Sequence, residues 1–410
     1  MPFHTHTLPS GLTLIGETLP SSRSVSVGFF VRTGSRDETP GEAGVSHFLE
    51  HMVFKGTPRR TAFDVNREFD QLGAKYNAYT SEEETVYYAS VLPEYLTHVT
   101  DILADILRPS LREDDFDTEK QVILEEIKKY DDQPHSVAWD RAKEVYFRGH
   151  PLGNSILGTH ASVSALTAAQ MKAYFDRRYA AGNILVAAAG NFDWAQFVQL
   201  VGEKTANWNG AAVAPRSLTP AVGPGGNHAF TKEGIAQQYM LSMAPAPAAD
   251  SPLRHAANVL AIAVGDDSGS RLHWELVDPG RVESAGCGVD FSHGNGFLAV
   301  SMSGDPELAA ENLGIVKRVL SEVQNSGLAD EEIAQAKNKI TSRLVRSSER
   351  PMGRMSTIAG AWLYRGEYSD TDAEIALYDA IDAKAIREYL DAYPVDAITT
   401  IGYGPLSELG

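Results

Sequence analysis

Cysteine is almost missing from this chain. The single one, Cys287, cannot close an intrachain disulfide, so the sequence fits a reducing compartment. Flanked by Gly286 and Gly288, it reads as a small packing residue. Long apolar runs are missing too: no stretch approaches the ~20 residues of a membrane span. The first residues, Met1-Pro2-Phe3-His4, place no basic segment ahead of an apolar one, and a cytoplasmic protein is the expectation. Positive charge is in short supply, with 36 Lys and Arg against 54 Asp and Glu and a formal net charge of −18. That balance argues against nucleic acid or an anionic membrane as the main partner.

What remains is ordinary for a soluble globular protein, 43% hydrophobic and 22% charged. A length of 410 residues exceeds one typical core and suggests two to four domains or subdomains.

The chemistry concentrates in Gly44-Val45-Ser46-His47-Phe48-Leu49-Glu50-His51-Met52. His47 and His51 are four apart, so a helix projects them from one face, with Glu50 inside the same arc of about 100°. Two imidazoles and a carboxylate at that spacing suit a catalytic zinc site. The histidines bind metal through neutral nitrogens, and the glutamate takes a proton from water. The order H-x-x-E-H inverts H-E-x-x-H and marks the inverzincins. The alternative is an amphipathic helix with two partly exposed histidines and a solvated glutamate.

A second helix spans Phe116 to Tyr130. Glu119 and Glu126 lie seven residues, or two turns, apart and share a face within about 20°. Two acids on a partly apolar face are costly unless paired or ligating a metal. Glu125 points about 100° away and reads as a surface charge.

Other segments organise the fold. Residues 3–8 and 12–16 alternate around Pro9-Ser10-Gly11 as a hairpin, with His4 and His6 on an exposed face. Val25 to Val31 is a strand whose buried face carries Val25, Val27, Phe29 and Val31. Gly73 to Ser81 and Thr85 to Val91 pair antiparallel through Glu82-Glu83-Glu84, read as a solvated turn. Residues 209–227, rich in Gly and Pro, read as a linker.

Beyond the linker the order of elements recurs. Ala165 to Phe175 parallels Ala380 to Leu390, and the helix from Asp114 parallels the one from Glu331. The expected fold class is α+β: two duplicated α/β-sandwich-like halves, each an antiparallel sheet packed with helices, over 1–208 and 228–410. Pairing Phe116 with Ile333 puts Ala336 at the place of Glu119 and Arg343 at the place of Glu126. The helix at 252–265 carries no H-x-x-E-H, so the metal-binding residue types occur in one copy only.

The chain resembles the pitrilysin/insulysin family of zinc endopeptidases, in its short mitochondrial-processing-peptidase-like branch. The resemblance rests on Gly41 through Thr57, on Tyr76-Asn77-Ala78-Tyr79-Thr80, on Glu119 through Glu126, and on His150-Pro151-Leu152-Gly153. It implies one zinc ion per chain held by His47, His51 and Glu126, with Glu50 as general base. Glu119 would orient a ligand histidine. The strand carrying Asn77 and Ala78 would pair with an extended peptide substrate. Family members are clamshells whose halves enclose a chamber, and this chain would form half of one.

One departure stands out. The family's Arg and Tyr, seven apart after a Ser-Arg-Leu pattern, are replaced here by Val277 and Ser284 after Ser270-Arg271-Leu272. Neither Arg271 nor Arg281 has a Tyr seven residues on. The expectation is a subunit that supplies the zinc half of a site and needs a homologous partner chain carrying Arg and Tyr. The rivals are a non-catalytic assembly subunit and a peptide-binding module.

Overall fold

The computed structural model describes residues 2–210, 213, 216, 218–368 and 370–409. The expected linker at 209–227 therefore lies partly outside the described residues. Contacts divide the chain into two compact units, each drawn from three segments. Unit 1 comprises Met1–Lys128, Asn154–Arg216 and Arg346–Asp370, and unit 2 comprises Lys129–Gly153, Ser217–Val345 and Thr371–Gly410.

The sheet of unit 1 contains β1 (Phe3–Thr7), β2 (Thr13–Thr18), β3 (Val25–Val31), β4 (Lys75–Thr80), β5 (Thr85–Val91) and β6 (Ile184–Gly190). Their spatial order is β1-β2-β6-β3-β5-β4. The expected hairpins are present, β1 with β2 and β4 with β5, both antiparallel. Among the described residues of this sheet, only β2 and β6 run parallel. In unit 2, β7 (Gly226–Thr231), β8 (Gln238–Pro245), β9 (Ser284–Ser292), β10 (Asn295–Gly304) and β11 (Thr399–Gly404) are ordered β7-β11-β8-β10-β9. The parallel pair of β7 with β11 occupies the place of β2 with β6. The duplication read from the sequence is thus repeated in strand order and direction.

It is repeated in detail as well. Lys120 donates through Nζ to the carbonyls of Ser164 and Leu166, and Lys337 does the same to Asp379 and Ile381. The lysines correspond in the register that pairs Phe116 with Ile333, and their acceptors in the register that pairs Ala165 with Ala380.

Strand β3 departs from expectation. All seven of its residues are buried, not one face only. Val25, Val27, Phe29 and Val31 join the core beneath the His47 helix, while Phe30 packs with Leu185, Met355, Ile358 and Ala359 on the other face. The cover on that face is the helix Pro351–Arg365, which arrives from far along the chain. Its anchor is a fully buried pair: the Arg354 guanidinium donates to the Glu17 carboxylate at 2.8–2.9 Å, and Tyr368 donates to the same carboxylate at 3.1 Å. Unit 2 has a matching arrangement. There the helix Pro134–Tyr146 buries Ala138, Ala142, Val145 and Tyr146 against Leu241, Met243 and Ile401.

The acidic turn is also corrected. Glu83 is 4% exposed and receives an ion pair from Arg36 at 2.7 Å. Arg216 binds Asp37 at 2.6 and 2.9 Å and donates to the Glu83 carbonyl. A buried carboxylate without such partners would be costly, so these arginines are what let the turn fold inward.

Candidate metal centre

The His47 helix spans Val45–Val53. It begins at Gly44, whose φ of +90° and close approach to the Leu157 carbonyl leave no room for a Cβ. The free amides of its first turn are satisfied by Glu38, whose carboxylate accepts from the backbone N–H of Gly44 and of Ser46, each at 2.8 Å. Val45, Phe48, Leu49, Met52 and Val53 are buried, which fixes the rotation of the helix. Phe48 stacks on Phe116 at 4.7 Å between ring centroids. Phe116 belongs to the helix Glu113–Asp131, so this contact sets the distance between the two helices that carry the ligand candidates.

His47, His51 and Glu126 converge as a group able to hold a metal ion, their ligand atoms all within 4.8 Å of one another. Nε2 of His47 stands 3.7 Å from Oε2 of Glu126, and Nε2 of His51 stands 3.6 Å from the same oxygen. Those separations are too long for hydrogen bonds. They are close to the ~3.4 Å edge of a tetrahedron built on zinc bonds of 2.0–2.1 Å. His47 strengthens the case: only 9% of it is exposed, and among the described residues neither its buried Nδ1 nor its Nε2, 3.7 Å from Glu126, makes a hydrogen bond. An imidazole buried with neither nitrogen hydrogen-bonded is expensive unless another bond compensates it. The two nitrogens and one oxygen are donors that zinc accepts, so the residues fit the ion.

The surroundings tune these groups. Burial, then the neighbouring His51, pushes the His47 imidazole down to about 3, which leaves it neutral with a lone pair to give. Burial acts against a proton on His51, but the hydrogen bond to Glu119 and the charges of Glu126, Glu119 and Glu50 outweigh it and raise its pKa. The same carboxylates that favour a proton there favour any cation. Nδ1 of His51 lies 2.9 Å from Oε1 of Glu119, an arrangement that aims Nε2 at Glu126. Glu119 is itself 3% exposed and pairs with Lys55 at 2.5 Å. Burial would raise its pKa, yet His51 and Lys55 hold it below the usual range.

Glu50 is half-buried and lies near enough to feel the charges of His51 and Glu126. Burial, the largest influence, raises its carboxyl pKa. Its Oε2 accepts a hydrogen bond from the Thr80 hydroxyl at 2.7 Å. Asn77 and Ala78 lie on β4, opposite Tyr88 and Tyr87 of β5. β4 ends the sheet, so its other edge carries no strand among the described residues. Glu125 is exposed and paired with Lys128, as its position implies.

The residues at the expected Arg and Tyr positions belong to unit 2. Val277 closes a π-helical turn at His273–Val277. Ser284 opens β9, its hydroxyl 2.9 Å from that of Ser303. Arg271 is held by Glu332 at 2.6 and 2.7 Å. Sequence reasoning quoted Lys55 and Thr80 within motifs but gave neither a role. It gave no weight to Glu38, whose signal is an acid shortly before a helix start.

Comparison with known proteins bears on the family. Residues 14–160 match the insulinase (peptidase family M16) model, and residues 165–340 match the peptidase M16 inactive domain. An uncharacterized zinc protease of Mycobacterium leprae is 33% identical over 386 residues, covering 93% of this chain and 87% of its own length. This chain belongs to peptidase family M16. Another relative, an uncharacterized zinc protease of Streptomyces coelicolor, is 34% identical across 97% of this chain and 88% of its own length. Among solved structures, a protease from Helicobacter pylori superposes with a TM-score of 0.92 at 21% identity, covering 98% of this chain and 99% of its own. That likeness concerns the fold. The two matches meet between residues 160 and 165, and all three ligand candidates lie within the insulinase match.

Proposed function

We propose that this M16 chain is a zinc-dependent endopeptidase of the H-x-x-E-H type, of the mitochondrial-processing-peptidase-like branch. The observation that carries the reading is the convergence of His47, His51 and Glu126 beside the carboxylate of Glu50. His47, His51 and Glu126 hold the ion, and Glu119 fixes the tautomer of His51. When bound, zinc supplies Lewis acidity toward the scissile carbonyl and the attacking water. Glu50 takes the proton of that water and later passes it to the leaving amine. An extended peptide pairs with the free edge of β4 at Asn77 and Ala78, which presents its backbone in a fixed register.

With Val277 and Ser284 where Arg and Tyr are expected, the oxyanion lacks a donor from this chain. A homologous chain carrying both residues completes the site, peptides are cut inside the chamber the chains enclose, and the reaction is cytoplasmic. Losing one oxyanion donor costs about 10²–10³ in rate, so the isolated chain is nearly inactive. Copurification of a similar-sized chain with the Arg and Tyr but without H-x-x-E-H supports this; family-typical rates from the isolated chain overturn it. The same two positions favour a second reading, a chain that captures peptides without cutting them. Glu50→Gln separates the readings: turnover falls by at least about 10²-fold with zinc retained if Glu50 is the base. Loss of zinc from that variant instead makes Glu50 a ligand or a structural group.

A further inference from the structure

Glu50 receives one hydrogen bond among the described residues, from the hydroxyl of Thr80 to Oε2 at 2.7 Å. A carboxylate on a half-buried glutamate has several rotamers available, and a single short bond to one oxygen selects among them while leaving Oε1 open. The donor is well held. Thr80 is the last residue of β4 and pairs in register with Thr85, which is buried and donates to the Thr33 carbonyl at 2.9 Å. The turn that follows is closed by the Ser81 N–H donating to the Glu84 carbonyl at 2.8 Å and by the buried pair of Glu83 with Arg36.

We propose that Thr80 is a positioning residue for Glu50. Its hydroxyl ties the carboxylate to the same strand whose outer edge pairs with no strand among the described residues, so the base and a peptide paired on β4 share one rigid frame. Valine at this position keeps the volume and removes the donor; serine keeps the donor. The inference rests on Glu50 being the base, and the experiments are arranged so that the two can fail separately.

The test compares Thr80→Val, Thr80→Ser and Glu50→Gln in whatever assembly the wild-type chain cleaves a reporter peptide, with bound zinc measured in each. Thr80→Val is expected to lower kcat about ten- to hundredfold, on the scale of a misplaced catalytic group, with KM and zinc content unchanged. Thr80→Ser is expected to keep most of the activity. A crystal structure of Thr80→Val should show the Glu50 carboxylate turned from its present position, a readout that needs no turnover. An unchanged kcat, an effect confined to KM, a Thr80→Ser as slow as Thr80→Val, or an unmoved Glu50 each overturns the proposal. A Glu50→Gln variant with wild-type kcat overturns instead the reading of Glu50 as base.

Discussion

The helices Glu113–Asp131 and Asp330–Ser348 are copies of one element put to different uses. Both are held by the same lysine contact, Lys120 in one and Lys337 in the other. In the second copy the charges are paired: Asp266 binds Lys339 at 2.8 Å and Arg343 at 2.6 Å, and Ala336 fills the buried place of Glu119. In the first copy Glu126 faces two histidine nitrogens at distances that bond none of them. A fold that can satisfy its charges at this position in one copy leaves them converging and unbonded in the other. The difference marks a site, because structural charges are normally neutralised where they stand.

That contrast can be broken at several points. Glu126→Ala should reduce zinc affinity by more than about a hundredfold, while Arg343→Ala leaves it unchanged; titration with zinc against a competing chelator measures both. If the two variants bind zinc alike, the first copy is no more a metal site than the second. Glu119→Ala should weaken zinc by about 10–100-fold through loss of the orientation of His51. A smaller change would mean that Lys55 and Glu119 form only a structural pair.

The next comparison is between ion pairs. Arg354→Ala strands the buried carboxylate of Glu17 and should cost about 3–5 kcal/mol in denaturant unfolding, against less than about 1 kcal/mol for Arg343→Ala, whose side chain is 46% exposed. The smallest effect concerns acid. Burial would raise the Asp266 pKa, but Lys339 and Arg343 hold it below the usual 3.8. The unfolded chain therefore binds the proton more tightly, and this stabilisation is present above about pH 4 and lost as pH falls through the folded value. Asp266→Asn should flatten that acid branch of the stability curve; an unaltered slope would mean that the pair contributes nothing.

Much of this was legible in the sequence. Helical spacing puts the histidines and Glu50 on one face, the seven-residue interval puts Glu119 and Glu126 on another, and the order of elements carries the duplication, while the roles of Glu119 and Glu126 follow from the family resemblance. The inward turn of Glu83 was not, because its partners Arg36 and Arg216 lie 47 and 133 positions away. The helices Pro134–Tyr146 and Pro351–Arg365 were also missed as cover for the sheets. Their small residues, such as Ala138, Ala142, Ala359 and Ala361, weaken the apolar periodicity that reveals a buried helix.

The sequence by itself determined which chemical groups this protein owns and which copy of the repeat owns them, because helical period and spacing are local properties of the backbone. Tertiary structure alone decided that three of those groups meet. The Phe48–Phe116 stack brings two separate helices to one distance, Lys55 and Glu119 set the direction of His51, and Thr80 reaches Glu50 from another strand. These are contacts between residues 30 to 68 positions apart, and no local pattern encodes a distance across a core.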